Sequence, residues 1–250
     1  MKKILALVLA LALIICASFA LAEEEVAELA VMSHEEYALA ELDAPVLVEA
    51  YVQDSQGWWA KDGVGRMTLY LQAEDGAYFA YEVLMEEEES KLLVPGTKIR
   101  ITGVKGAWAD EVEILDATYE ILDAEPWIAE PTDVTALLGS EDLIDHINEK
   151  IAIKNAKVVA STVEGDEKEY AFLYSYDNSG DHEANSDLYF KVEVDGSVYT
   201  LTVESYLRGN DTDVYAAVEA LQIGDVIDCE GFLYWYYGAN PHITSVTKAE

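Results

Sequence analysis

The segment LVPGTKIRITG, residues 93–103, recurs 128 positions later as LQIGDVIDCEG, residues 221–231. The two copies share the pattern L-x-x-G-x-x-I-x-(I/C)-x-G. Their outer glycines predict a turn that enters a β-strand and a bulge or bend that leaves it. The apolar residues between the glycines alternate with the period of two expected for a half-buried strand. The repeat therefore predicts two copies of one β-rich domain.

Each copy carries the same elements upstream of this strand. An Asp-Gly pair flanked by alternating residues lies at positions 75–76 and again at 195–196. Asp-Gly favours a two-residue β-hairpin with a type I′ turn, because both central residues of that turn need positive φ. First strands are predicted near Val46 and Ile151, and last strands near Glu111 and His242.

A helix is predicted between the hairpin and the repeated strand. In the second copy Val214, Val218 and Leu221 have the spacing of one helix face, and Asp211 or Thr212 can cap its start. In the first copy the corresponding stretch is the short run 85–92. The order strand, strand, strand, helix, strand, strand resembles the OB-fold, a five-stranded Greek-key barrel with a helix between strands three and four.

The resemblance divides the chain into five parts. It covers residues 44–122 and 149–250 as two OB-like domains, preceded by a segment with a short helix at 23–43 and joined by a linker with a helix at 123–148. The chain is similar to secreted bacterial proteins with tandem OB-type domains, which implies a binding role. Pro126 and Pro131 mark the start of the linker, and Ser33 to Glu36 form a capping box for the first helix.

Residues 1–22 have the pattern of a secretory signal peptide. Lys2 and Lys3 precede an apolar run, and Ala20-Leu21-Ala22 offers a cleavage site. A membrane anchor is the alternative, but the run is short for a bilayer span. Lipid attachment at Cys16 is a second alternative, disfavoured by Ile15, where a small residue is usual. Cleavage would leave Cys229 as the single cysteine, so we expect a secreted chain without an internal disulfide.

The composition limits the classes of partner. The 250 residues carry 49 Asp and Glu against 15 Lys and Arg, a net charge of −34, with 51% apolar and 10% aromatic residues. The apolar content excludes a disordered acidic tail. Proteins that bind a phosphate backbone rely on clustered Lys and Arg, so the charge argues against a nucleic-acid partner.

Three tryptophans are the candidate ligand-binding residues. Trp58 and Trp59 lie in a turn-rich connection between the first two strands, and Trp108 lies near the connection between the last two. In OB-folds these loops rim the ligand face. The alternative is that the three rings seal the barrel end or an interface with a helix.

These features predict a non-catalytic extracellular binding module for a glycan or another neutral ligand. No catalytic or metal-site motif is present, so we expect no enzyme. A protein-interaction or structural module with a preference for a basic partner is the alternative.

A calcium site is the only cofactor hypothesis. The loop 177–187 is dense in oxygen ligands, and Ca²⁺ prefers six to eight oxygens on a flexible loop. Its candidate ligands are Asp177, Asp181, Glu183 and Asp187. The alternative is a solvated acidic loop that links two strands.

Overall fold

A computed structural model describes residues 29–249 of the chain. The predicted signal peptide and Cys16 lie outside these residues. Both domains belong to one compact unit, Val31–Glu250. Within the described part of the chain, no helix has the length and apolar character needed to cross a membrane.

The first barrel is a closed sheet of five strands. Its strand order is β1-β5-β6-β4-β3, and pairing of β1 with β3 closes the ring, while the short β2 extends β3. The parallel pair β4–β6 joins the two halves of the Greek key. The elements are α1 His34–Leu39, β1 Pro45–Ser55, β2 Trp59–Lys61, β3 Val64–Ala73, β4 Gly76–Leu84, α2 Glu87–Ser90, β5 Lys98–Trp108 and β6 Glu111–Ile121.

The second barrel repeats this topology. Its order is β8-β12-β13-β11-β10, closed by pairing of β10 with β8, and β7 and β9 add at its edges. The elements are β7 Thr132–Asp133, β8 Lys150–Val159, β9 Phe172–Tyr174, β10 Leu188–Val194, β11 Ser197–Val203, α3 Asp213–Glu219, β12 Val226–Phe232 and β13 His242–Lys248. The chain is therefore mainly β, with two tandem OB-like five-stranded barrels, as the sequence predicts.

The repeated glycines occupy equivalent positions in the two barrels. Gly96 and Gly224 turn the chain into β5 and β12 with φ of 93° and 96°, a region that favours glycine. The closing glycines lie at register shifts with the last strand of each barrel. A Cβ at Gly103 would lie 2.6 Å from the Leu115 carbonyl oxygen, and one at Gly231 would collide with the His242 carbonyl. Close backbone approach explains both closing glycines.

The two hairpins differ in their turns. Asp195 and Gly196 have φ of 49° and 82°, as the predicted type I′ turn requires. In the first barrel the pairing of Ala73 with Gly76 instead places Glu74 and Asp75 at the centre of the turn, and neither has positive φ. The type I′ prediction is therefore wrong at residues 75–76. Gly76 packs under the ring of His34. The backbone N–H of His34 also donates to Asp75 Oδ2 at 2.8 Å, so contacts with another element set the conformation of this turn.

The linker also differs from the prediction. Two 3-10 turns, Thr135–Leu137 and Glu141–His146, replace the helix expected in the linker 123–148. Gly139, at φ 78°, interrupts the helical path, and the Ser140 side chain caps the second turn. The first helix does begin after Ser33 with the predicted capping box to Glu36.

Each barrel is filled by the inward side chains of its alternating strands. In the first, Val46 and Val48 of β1 meet Ile99 and Ile101 of β5, and all four are fully buried. Cys229 occupies the corresponding inward position in the second, where burial raises the pKa of its thiol to about 12. Such a thiol remains protonated at neutral pH and packs as a small apolar group.

Candidate functional site

The two barrels meet through a third apolar cluster. Tyr70, Phe79, Leu207 and Phe232 form its buried part. The Tyr70 ring centroid lies 5.1 Å from that of Phe79 and 4.6 Å from that of Phe232. These distances are typical of packed aromatic pairs, which add about 0.5–1.5 kcal/mol each beyond the area that they bury. The junction is therefore a small core of its own.

Polar contacts fix the junction in one register. Tyr70 Oη and His242 Nδ1 are hydrogen-bonded at 2.8 Å, and burial lowers the pKa of His242 to about 3, so its ring is neutral. The Tyr237 backbone N–H donates to the Ala109 carbonyl at 2.7 Å. Arg208 of the second barrel forms an ion pair with Asp54 of the first. These contacts hold the walls of the adjacent cavity in place.

A cavity of about 580 Å³ opens beside this junction. Both barrels line it, with Gln56, Phe79, Tyr81, Ala107, Trp108, Glu113, Leu115, Glu204, Tyr234 and His242. The rings of Phe79 and Tyr234 meet edge to face at 5.3 Å, and Tyr234 stacks on His242 at 4.3 Å. Trp108 and Tyr81 are 59% and 41% exposed and offer flat faces at the rim.

Two carboxyl groups contribute to the polar surface of this cavity. Glu113 is only 5% exposed, and burial raises its pKa to about 7. Burial, with the nearby Asp187, also raises the pKa of Glu204 to about 7. Near neutral pH each carboxyl exists in both protonation states, so it can accept or donate a hydrogen bond. The ten lining residues include no Lys or Arg.

Glu204 and Glu113 differ in their hydrogen bonds. Glu204 accepts from the backbone N–H groups of Tyr206 and Leu207 and from Gln56 Nε2, at 2.9 to 3.3 Å. The backbone of Glu113 pairs with Gly106 in the sheet, but its carboxyl has no hydrogen-bond partner among the described residues. Of the two carboxyls, that of Glu113 is therefore the one available for a ligand.

Two further cavities are connected to the first, one by shared lining residues and one by a contact between two aromatic rings. One of about 460 Å³ shares Gln56 and Tyr81 with it and is also lined by Trp59 and Tyr206. The other, of about 640 Å³, lies in the second barrel and includes Tyr236, whose ring is 5.4 Å from Trp108. Aromatic rings therefore continue from the central cavity in two directions.

The structure separates the three predicted tryptophans. Trp58 packs against the first core, and its indole N–H donates to the Met85 carbonyl at 3.2 Å. Trp59 lies in the neighbouring cavity with the Arg66 guanidinium 5.4 Å from its ring centroid. Trp108 lines the central cavity. A ligand-binding role for these residues stays a prediction, and the geometry supports it best at Trp108.

Most of the cavity residues were not predicted from the sequence. Phe79, Tyr81, Glu113 and His242 each have the sequence context of an ordinary strand residue. Their association depends on how the second barrel docks on the first, which no local pattern records. The aromatic run at residues 234–237 is the one available signal.

The structure does not gather the predicted calcium ligands. Asp177, Asp181 and Asp187 each accept from a nearby backbone N–H, at 2.6 to 3.0 Å, and Glu183 is exposed. No group of three or more His, Cys, Asp or Glu side chains that could hold a metal ion occurs within residues 29–249. Calcium binding by this loop stays a prediction, which a rise in melting temperature with millimolar calcium over chelator would support.

Comparison with known proteins gives similarity in fold alone. No family model and no curated protein matches the chain. Among solved structures, it resembles a murine DNA-binding protein bound with double-stranded DNA, at 11% identity and a TM-score of 0.39, over 82% of this chain and 96% of that one. It also resembles p202 HIN1 in complex with a 12-mer of double-stranded DNA, at 10% identity and a TM-score of 0.32, over 83% and 94%. A third is a replication protein A heterotrimer bound to single-stranded DNA, at 10% identity and a TM-score of 0.30, over 80% and 50%.

These descriptions contradict two expectations from the sequence. They name DNA as the ligand of those three proteins, and the expectation of a glycan or protein ligand and the exclusion of a nucleic-acid partner are withdrawn for this chain. The physical error lies in the use of net charge. The net charge summed over 250 residues describes the long-range repulsion of phosphate groups. A base that binds in a cavity contacts only the residues that line the cavity.

Proposed function

We propose that this protein is a non-catalytic module that binds an unpaired nucleobase, in a nucleoside or a single strand, in the cavity between its barrels. The observation that carries this proposal is the combination of aromatic walls with a buried carboxyl that lacks a protein partner. The secretion signal predicted at residues 1–22 adds the proposal that binding takes place outside the cell.

The aromatic walls suit a flat heterocycle. Trp108 and Tyr81 present exposed ring faces at the rim, and Phe79 and Tyr234 form the inner wall. Stacking of a base on an aromatic side chain contributes about 1–3 kcal/mol in single-strand binding proteins. The cavity volume of about 580 Å³ lies within the range of small-molecule sites.

The polar lining suits the edge of a base. A carboxylate accepts hydrogen bonds from amino and imino groups, and a protonated carboxyl also donates one. An unpaired base exposes such groups, whereas a base pair engages its Watson–Crick edges internally. The geometry therefore favours single bases over a duplex.

The charges restrict which part of a nucleotide is bound. The cavity offers no basic side chain for a phosphate, and the net charge of −34 repels one. We therefore assign the contacts to the base and its sugar.

Calorimetric titration with the four common ribonucleosides tests the proposal, with ribose as the ligand control. We expect saturable binding of at least one nucleoside and none of ribose. Trp108→Ala should weaken binding about 5-fold to 100-fold, the range that corresponds to loss of one stacking partner. The matched control is Tyr237→Ala, which removes an exposed ring next to the rim that does not line the cavity. Absence of binding by all four nucleosides, or equal effects of the two variants, would refute the proposal.

A further inference from the structure

Glu113 differs from Glu204, the other carboxyl of the central cavity, in its environment. It lies on β6, opposite Gly106 of β5, and most residues that line the cavity with it are apolar or aromatic. Glu113 is 5% exposed, and its carboxyl has no hydrogen-bond partner among the described residues, whereas buried carboxyls usually have one. Its oxygens are not sealed from solvent as Oε1 of Glu111 is, so a ligand in the cavity can reach them. A buried and unpartnered carboxyl in the wall of a cavity indicates a group that binds a ligand.

The groups around Glu113 do not neutralise it. Glu111 precedes it on the same face of β6, and Glu204 lines the same cavity from the second barrel. Tyr37, Tyr81 and Tyr234 are also close enough to interact with its charge. The one buried lysine nearby is Lys105 of β5, and its Nζ instead donates to the carbonyls of residues 37, 38 and 40 at 2.8 to 2.9 Å. No Lys, Arg or hydrogen-bond donor among the described residues compensates an ionised Glu113, so a ligand in the cavity can supply the donors that it accepts from.

The two oxygens of a carboxylate define which base edge fits. A carboxylate accepts two parallel hydrogen bonds when a partner presents two adjacent donors. Guanine presents this arrangement at N1–H and the 2-amino group. The Watson–Crick edges of adenine, cytosine and uracil each place an acceptor beside the donor, so they leave one carboxylate oxygen facing an acceptor.

On the basis of the proposed function, we infer that Glu113 is the specificity-determining residue of the cavity and that it selects guanine. Trp108 and the other rings supply sequence-tolerant stacking, and Glu113 distinguishes among the stacked bases. Because burial raises the pKa of Glu113 to about 7, the bidentate acceptor exists above this pH and loses one acceptor position below it.

Guanosine and inosine provide the decisive pair of probes, since inosine lacks only the 2-amino group. At pH 8.5 we expect the intact protein to bind guanosine about tenfold or more tightly than inosine, because a hydrogen bond to a charged group is lost with inosine. At pH 5.5 the ratio should fall towards one. Equal affinities at pH 8.5 would overturn the inference.

The variant Glu113→Gln keeps the shape of the side chain and replaces one acceptor by a donor. It should lose the preference for guanosine over inosine at pH 8.5 while still binding nucleosides through stacking. Glu120→Gln, on the exposed face of the same strand, is the matched control and should keep the preference. A Glu113→Gln protein that still prefers guanosine would contradict the assignment.

The same titrations separate this inference from the proposed function. If adenosine, cytidine, uridine and guanosine all bind equally, the cavity binds bases and Glu113 does not select among them. If none binds, the proposed function itself fails. Urea unfolding of each variant confirms that a lost preference is not a lost fold.

Discussion

The pH dependence of stability should be dominated by the buried carboxyls of the junction, and Glu111 offers the clearest test. Glu111 is fully buried, its Oε2 accepts from the Trp235 backbone N–H at 2.7 Å, and its Oε1 has no partner among the described residues. Burial raises its pKa from 4.5 to about 8. The folded state therefore holds this proton at pH values where the unfolded state has released it.

The sign and size of the effect follow from this difference. Stability contributed by the protonated group is fully present below pH 4.5 and is lost as the pH rises through 8, because the folded protein binds more protons than the unfolded chain in that interval. At 1.36 kcal/mol per pKa unit the full difference is on the order of 5 kcal/mol, most of which lies between pH 5 and pH 8. Glu113 and Glu204, with pKa values of about 7, add to the same trend, whereas His242 opposes it, because burial lowers its pKa from 6.5 to about 3 and the unfolded chain binds its proton first.

Urea unfolding of Glu111→Gln at pH 5 and pH 8 measures this contribution. A neutral glutamine retains an acceptor for Trp235 and cannot ionise, so the variant should be close to wild type at pH 5 and more stable than wild type by about 3 kcal/mol at pH 8. Glu120→Gln, an exposed change on the same strand, should leave the pH profile unaltered. A wild-type protein that is equally stable at both pH values, or a Glu111→Gln protein with the wild-type slope, would refute the reasoning.

Two further predictions concern the backbone and the charge. Gly231→Ala should lower the free energy of unfolding in urea by about 1–3 kcal/mol, because the new Cβ collides with the backbone of β13. The control is Gly57→Ala, where the new Cβ has open space, and its free energy of unfolding should stay within about 0.5 kcal/mol of wild type. Guanosine monophosphate should bind more tightly as salt rises from about 50 to 500 mM, because salt screens repulsion from the net charge of −34, and the affinity for guanosine should not change. A fall in the affinity for the monophosphate with salt, as for proteins that bind a phosphate backbone, would contradict this view of the charge.

The sequence predicts the barrels well because their determinants are local. The recurring glycines at 96 and 224 adopt positive φ in the turns before the repeated strands. Between each of them and the closing glycine, apolar and polar residues alternate, and this alternation defines the inward face of the strand. The capping box at Ser33 is equally local. Where tertiary contact decides, the sequence prediction fails, as at the Glu74–Asp75 turn, which the His34 ring shapes from another element.

The site was less predictable for the same reason. A position near a loop end makes Trp108 a predicted binding residue, but the same argument selects Trp58, which packs against the first core. Glu113 gave no signal at all among 49 acidic residues. Glu113 becomes a candidate because it is buried where the two barrels meet, and this burial depends on how the barrels dock.

The five tryptophans provide the most direct test of the claim that the cavity between the barrels binds a nucleobase. Each contributes one indole N–H signal to a proton–nitrogen correlation spectrum of the full chain. Titration with guanosine at pH 8.5 should shift the signal of Trp108 most, while Trp58 in the first core and Trp127, which packs against Tyr51, should remain in place. A spectrum in which no indole signal moves, or in which Trp127 moves and Trp108 does not, would contradict the account.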